Sequence, residues 1–364
     1  MRLTGLKAGA AVTITSDAVD LRKVRWHGSG RYQADASGVV DLAKQASTAG
    51  TYTGVDETGL MWSMDPDPEP AANTALTIFD TDSSSPYSIT LTATADKASA
   101  TLTLTRIWRV PGVTEKMLTV AADGFAGELF LPPPTADPRP AMMLLGGSEG
   151  GPGPIDLAEM LAAKGYPALC VGYFGVPGTP AALQNIPLEY FTKAAQYLAD
   201  QPAVDRAHII VTGISRGTEA ALLLAQNYPH LFHGAVVIAP SSVVNDGLPR
   251  SPFAWTLHGE GLPQGLAIPV DKISGPVLAF AGDDDQLWAS YLSAPKIAEE
   301  LDAAHNPFPH KAVIYPNAGH FISADPSLPL LFHHIKFGGT RPGNAAGQAD
   351  VWNQLPGLLK SLSS

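Results

Sequence analysis

The stretch from Ile209 to Asn227, IIVTGISRGTEAALLLAQN, limits what this chain can fold into more than any other. A β-branched apolar run ends in Gly213-Ile214-Ser215-Arg216-Gly217 and passes at once into a run rich in Ala and Leu, which reads as strand, tight turn and helix. Glycines two positions either side of Ser215 let strand and helix approach closely, while the turn holds Ser215 in strained backbone geometry. The hydroxyl is thereby pushed into the open at a helix N-terminus, where the amide of Arg216 points toward any oxyanion formed beside it. The bare G-x-S-x-G pattern is cheap in a chain with 35 glycines, so its strand and helix context carries the argument.

The rest of the chain supplies that context in two parts. From Met1 to about residue 115 the residues favour strands: Val12 to Thr15, Tyr32 to Ala34, Ala75 to Ile78, and the alternating SITLTATADKASATLTLTRIWRV from Ser88 to Val110. Short strands at this spacing, with no sustained helical period, predict an antiparallel β-sandwich rather than an isolated exposed edge hairpin. Beyond Pro111-Gly112 strands alternate with helical stretches. Strands are expected at Gly127 to Leu131, Ala141 to Leu145, Pro167 to Val171, Ala235 to Ile238, Val277 to Phe280 and Lys311 to Tyr315. Helices are expected at Ile155 to Lys164, Leu188 to Asp200, Tyr291 to Leu301 and near Val351 to Leu362, with Leu188, Phe191, Ala195 and Leu198 on one face. Such alternation predicts a largely parallel sheet covered on both faces, with reactive groups at the carboxyl ends of its strands. The domains are expected at 1–115 and 116–364.

Composition narrows the partners. With 45% hydrophobic and 16% charged residues the chain is globular, and its formal net charge of −11 argues against nucleic acid or an anionic membrane as the main partner. Its one cysteine, Cys170, lies in an apolar run and reads as a small buried hydrophobe, so no disulfide framework or cysteine metal site is expected. No stretch approaches the ~18 to 20 apolar residues of a membrane span, and MRLTGLKAGAAVTI is not read as an export signal, so a cytoplasmic location is expected.

A serine is a poor nucleophile at neutral pH without a general base, and the base needs a carboxylate to orient it. In this kind of fold the chain order is Ser, then Asp or Glu, then His. After the strand Val277 to Phe280 comes Ala281-Gly282-Asp283-Asp284-Asp285, and after Val313 to Tyr315 comes Pro316-Asn317-Ala318-Gly319-His320-Phe321. Of ten histidines only His320 lies in a small-residue turn just past a late strand. His233 opens a strand, His333 and His334 form an adjacent pair, and His305 and His310 flank a proline loop; these read as structural. For the acid, Asp285 lies farthest along its turn and just before Trp288, with Asp284 as the alternative; the remaining aspartates could cap the helix beginning near Ala289. The second oxyanion donor should come from the loop Gly146 to Gly151, with the amide of Ser148 the best candidate and Glu149 next. A phosphate cradle is the other use of such a loop, and the acidic Glu149 with no lysine beside it speaks against that. The insertion Leu248 to Leu266, with Phe253 and Trp255, is expected to wall the acyl pocket; an ordered surface loop with a small satellite core is the alternative.

With these residues in hand the chain resembles the acyl-CoA thioesterase and bile-acid-CoA:amino acid N-acyltransferase family. Nearly the whole length carries the resemblance, through RYQADASGVVDLAKQASTAGTYTGVDETGLMWSMDP in the first part, and GELFLPP, GISRGTEAALLLAQNYP, IAPSSVV, GDDDQLW and YPNAGHFI in the second. It implies an immunoglobulin-like N-terminal sandwich on an α/β-hydrolase domain, and a Ser/Asp/His or Cys/Asp/His triad acting on acyl-CoA thioesters. Carried over residue by residue, the nucleophile is Ser215, the base His320, and the acid Asp285. The family's N-acyltransferase branch has cysteine where this chain has Ser215, which favours water as acceptor. The chain begins almost at once with LTGLKAGAAVTI, so a trimmed first domain is expected, and Arg216 stands where lysine is common. The expectation is therefore a serine acyl-CoA thioesterase without metal or organic cofactor. An esterase on oxygen esters, an acyltransferase, or a binding protein with an inactive hydrolase domain are the alternatives.

Overall fold

The computed structural model describes residues 1–69, 76–82, 85–323, 325–332 and 337–363. Its contacts divide the chain into two units, Met1–Trp108 with Asp325–Lys336, and Arg109–Ala324 with Phe337–Ser364. The boundary falls ahead of residue 115 because Thr114–Leu118 pairs antiparallel with Ala126–Leu131 and so belongs to the sheet of the second unit.

In the first unit one antiparallel sheet runs in the order Ala49–Gly50, Arg25–Gln33, Ala11–Val19, Tyr87–Ala95, Ala98–Arg106, with Asp65–Asp67 also paired to Arg25–Gln33. Alternation along Ala11–Val19 buries Val12, Ile14, Ser16 and Ala18 on one face, as a half-buried strand requires. The Thr-rich run from Ser88 divides into a hairpin whose second strand, Ala98–Arg106, is the exposed sheet edge. Threonine fits there because it favours extended backbone without presenting an apolar edge. A two-residue strand, Arg2–Leu3, pairs with Val40–Asp41. The expected strand at Ala75 to Ile78 is seen as Leu76–Ile78, paired with Leu330–Phe332; Ala75, His333 and His334 lie outside the described residues.

The second unit is built on eight strands: β1 (Thr114–Leu118), β2 (Ala126–Leu131), β3 (Arg139–Leu145), β4 (Ala168–Gly172), β5 (Val204–Ile214), β6 (Ala235–Ile238), β7 (Val277–Gly282) and β8 (His310–Tyr315). Their order in space is 1-2-4-3-5-6-7-8, with β2 antiparallel to both its neighbours, β1 and β4, and every other pairing parallel. The central strands are apolar on both faces. In β3, Ala141, Met143 and Leu145 join one core, while Met142 and Leu144 join the other. The first core takes helices α2 (Leu188–Ala199), α3 (Gly217–Asn227) and α4 (Ser290–Ala303); the second takes α1 (Ile155–Ala163) and α5 (Arg341–Leu362). A mixed sheet with helices on both faces is the architecture expected for the second domain.

Helix α5 starts ten residues before the expected Val351, and the reason is local. Thr340 caps it by accepting from the Gly343 amide, and Pro342 sits in its first turn, where a missing N–H costs nothing.

Candidate active site

Parallel pairing sets the carboxyl ends of β3, β5, β7 and β8 along one edge of the sheet. Leu145 lies opposite Gly213, and Gly282 opposite Tyr315. Ser215 follows β5 at once, with φ of +52°, in the left-handed region that non-glycine residues rarely adopt. The flanking glycines are obligatory for contact reasons. A Cβ on Gly213 would collide with the carbonyl of Gly217, and one on Gly217 with the carbonyls of Gly146 and Leu145. The Ser215 amide donates to Ile238 O at 2.9 Å, tying the turn to β6.

Ser215 Oγ lies 2.9 Å from His320 Nε2, and His320 Nδ1 lies 2.9 Å from Asp285 Oδ2. All three residues are buried. The imidazole is boxed by Trp288, edge-on at 5.8 Å between ring centroids, and by Phe321 and Phe337, the latter stacked at 6.3 Å. Its backbone amide donates to Phe337 O at 2.8 Å, and the adjacent Gly319 amide donates to Asn344 Oδ1 of α5 at 2.7 Å.

The two competing aspartates have separate surroundings. Asp285 Oδ1 accepts from the amides of Leu287 and Trp288, and Oδ2 accepts from Ser290 Oγ at 2.5 Å as well as facing the imidazole. Asp284 is exposed, turned away toward Gln286 Nε2 and the Gly339 amide, and those bonds hold its carboxyl below the usual carboxylate range. The expected aspartate cap on α4 is absent: Ala289 stands at the cap position with no side-chain bond.

The loop after β3 is shaped from below by Tyr173. Its hydroxyl reaches the carbonyl oxygens of Gly146 at 2.6 Å and Gly147 at 2.9 Å. A planar trans peptide places N–H opposite C=O, so the amides of Gly147 and Ser148 face away from Tyr173. The Gly147 amide donates to Glu149 Oε1 at 2.8 Å. A Cβ on Gly147 would lie 3.1 Å from Ser215 Cβ and 2.9 Å from Glu149 Oε2, so Gly147 sits between the serine and this carboxylate.

Arg216 contributes its side chain to structure. Its Nε donates to Glu219 Oε1 at 2.7 Å, and an Nη donates to Asp246 O at 2.8 Å and Asn245 O at 3.3 Å. Glu219 is fully buried and also accepts from the Asn245 amide and from Trp255 Nε1, each at 2.9 Å. Trp255 therefore corrects one expectation. It does not wall an open pocket; it is fully buried, packed on Tyr173 and Phe191, inside the core. Its segment is ordered as Trp255–Leu257 and Glu260–Gly261, paired with Ile186–Pro187, and half-buried Phe253 lies over Gly261. Ala254 and Trp255 join the same core as α2, α3 and α4, with Leu257 and Leu262 packed against it, so the segment forms no separate satellite core. Ser241 and Ser242 are buried at the end of β6, where Ser241 Oγ bonds Val243 O.

Ser290, Tyr173, Glu219 and Asn344 all hold the site and were not singled out from sequence. Among the described residues no group of three or more His, Cys, Asp or Glu could hold a metal ion, and no helix is long and apolar enough to cross a membrane.

With this geometry in view, comparison with known proteins is decisive about kinship. Residues 1–120 match the family model "Acyl-CoA thioester hydrolase/BAAT N-terminal region", and residues 186–250 and 245–362 match "BAAT / Acyl-CoA thioester hydrolase C terminal". The chain belongs to the acyl-CoA thioester hydrolase/BAAT family. Membership makes it an enzyme of the hydrolase class. It is 28% identical to mouse acyl-coenzyme A thioesterase 2, mitochondrial, over 96% of this chain and 83% of that protein. It is 27% identical to rat acyl-coenzyme A amino acid N-acyltransferase 2, over 98% of this chain and 92% of that one. Among solved structures an alpha/beta hydrolase enzyme from a deep-sea metagenome library superimposes with a TM-score of 0.45 at 19% identity, over 59% of this chain and 86% of that one.

Proposed function

We propose that this protein is a serine acyl-CoA thioesterase. The observation that carries the reading is the unbroken line from Ser215 Oγ through His320 to Asp285 Oδ2, just past the carboxyl ends of parallel strands in the part of the chain matched by the C-terminal family model. His320 Nε2 takes the Ser215 proton as the hydroxyl attacks the thioester carbonyl, and Asp285 holds the imidazole in the required tautomer and supports its positive charge. The oxyanion is met by the amide of Arg216 and by an amide of the Gly147-Ser148 pair. Protonated His320 then serves the departing thiol, and a water activated by the neutral imidazole releases the acid and restores Ser215.

The chemistry is assigned to the second unit, and the first is read as an immunoglobulin-like sandwich domain, a reading supported by its antiparallel sheet and by the N-terminal family match. Turnover of an acyl-CoA panel against p-nitrophenyl esters, scored by kcat/KM, tests the substrate class. The reading fails if simple esters exceed every acyl-CoA. The rat relative named as an N-acyltransferase favours a second reading, transfer of the acyl group to an amino acid. Serine at position 215 weighs for water, and an amide product formed with glycine or taurine would decide for transfer.

A further inference from the structure

We propose, building on the serine-hydrolase reading above, that Glu149 is a specificity-determining residue: its carboxylate occupies an oxyanion-loop amide at rest and selects for uncharged acyl groups. The loop does not simply pass the nucleophile with its amides open. The Gly147 amide, turned outward by the hold of Tyr173 on the two carbonyls behind it, is already bonded to Glu149 Oε1. Oε2 lies 2.9 Å from the position a Gly147 Cβ would take, and that position lies 3.1 Å from Ser215 Cβ, so the carboxylate and the serine flank the same small space at Gly147. Glycine at 146 and 147 fits the same arrangement, since a Cβ on either would run into this carboxylate.

Among the described residues no cation pairs with Glu149. The nearby Arg216 guanidinium is directed to Glu219 and to the carbonyls of Asn245 and Asp246. An uncompensated anion at this place opposes a developing oxyanion, so the side chain must swing out as the acyl carbonyl enters. Glu149 is exposed and its bond reaches only two residues back, so that movement disturbs no core packing. An acyl group with its own carboxylate near the thioester meets like charge on entry, whereas a hydrocarbon chain of equal length does not.

The test compares wild type, Glu149→Gln and Glu149→Ala in two measurements. The first is the rate of covalent labelling of Ser215 by an uncharged alkyl phosphonate. Glu149→Ala, which frees the amide, is expected to label faster by about tenfold, a fraction of the ~10² to 10³ that one oxyanion donor supplies, and Glu149→Gln, whose amide oxygen still accepts, by less. The second is kcat/KM for succinyl-CoA relative to butyryl-CoA, which is expected to rise by about tenfold in both variants. Unchanged or slower labelling with an unchanged substrate ratio overturns the proposal while leaving the hydrolase reading standing. Absence of labelling at residue 215 in all three proteins overturns both.

Discussion

Ser290 Oγ donates to the same oxygen of Asp285, Oδ2, that faces the imidazole of His320. The other oxygen, Oδ1, is held by two backbone amides. The carboxylate is fixed at both ends and cannot rotate without breaking several bonds. Ser290→Ala removes one charge-assisted bond worth about 1.5 to 3 kcal/mol, and if about half of that is felt in the transition state, kcat falls by about three- to tenfold. Steady-state kinetics should show the loss in kcat with KM little changed; a variant indistinguishable from wild type would leave Ser290 as helix packing only.

The two aspartates should separate cleanly. Asp285→Asn leaves the geometry but favours the wrong imidazole tautomer, so kcat is expected to fall by about 10⁴. Asp284→Asn touches only exposed bonds to Gln286 and Gly339 and should keep nearly full activity. Equal losses in the two would refute the assignment of the acid.

Ser215→Ala should fold normally, lose covalent labelling by an uncharged phosphonate, and lose turnover by about 10⁴ or more. Circular dichroism and active-site labelling run on the same sample check both halves of that expectation. Residual turnover near the wild-type rate would remove Ser215 from the mechanism.

Trp255 should behave as a core residue. Trp255→Ala is expected to cost about 3 to 5 kcal/mol of stability. Trp255→Phe keeps the ring against Tyr173 and Phe191 but leaves Glu219 Oε2 short of a donor, at about 1 to 3 kcal/mol. Urea denaturation measures both. A change in acyl-chain preference at undiminished stability would restore it to the pocket wall.

His233 gives a pH dependence. Burial, reinforced by the charge of His208, pushes its imidazole below the ordinary value, against the pull of Asp205. In the window below that ordinary value, which is about 6.5, the unfolded chain binds more protons here than the folded one. Stability therefore falls as pH drops through the window and recovers above it. Melting temperatures of wild type and His233→Gln, compared at neutral and mildly acid pH, should diverge least at the acid end, and a difference constant with pH would contradict the sign.

Much of this architecture was legible because its signals are local. A β-branched run, two glycines and an Ala-Leu helix sit side by side around Ser215, and Asp285 and His320 each follow an apolar strand by a few residues. What escaped sequence reading is held by partners far apart in the chain. Tyr173 looks like one more apolar residue until its hydroxyl is seen beneath Gly146 and Gly147, and Ser290 and Asn344 read as ordinary helical polar residues. The early start of α5 is a local signal, since Thr340-Arg341-Pro342 is a helix-opening signature. Trp255 misled because an aromatic in an insertion suggests a wall, whereas an indole N–H can equally serve a buried acid such as Glu219.

Cys170 lies at the centre of β4, fully enclosed, and burial pushes its thiol well above the ordinary range. A colorimetric disulfide reagent added to the native enzyme thus meets no reactive sulfur on the polypeptide, and in a test of the proposed activity every equivalent of colour would count thiol released from the added thioester. Under denaturing stress the same reagent becomes a clock, because one protein adduct per chain forms only as the sheet comes apart.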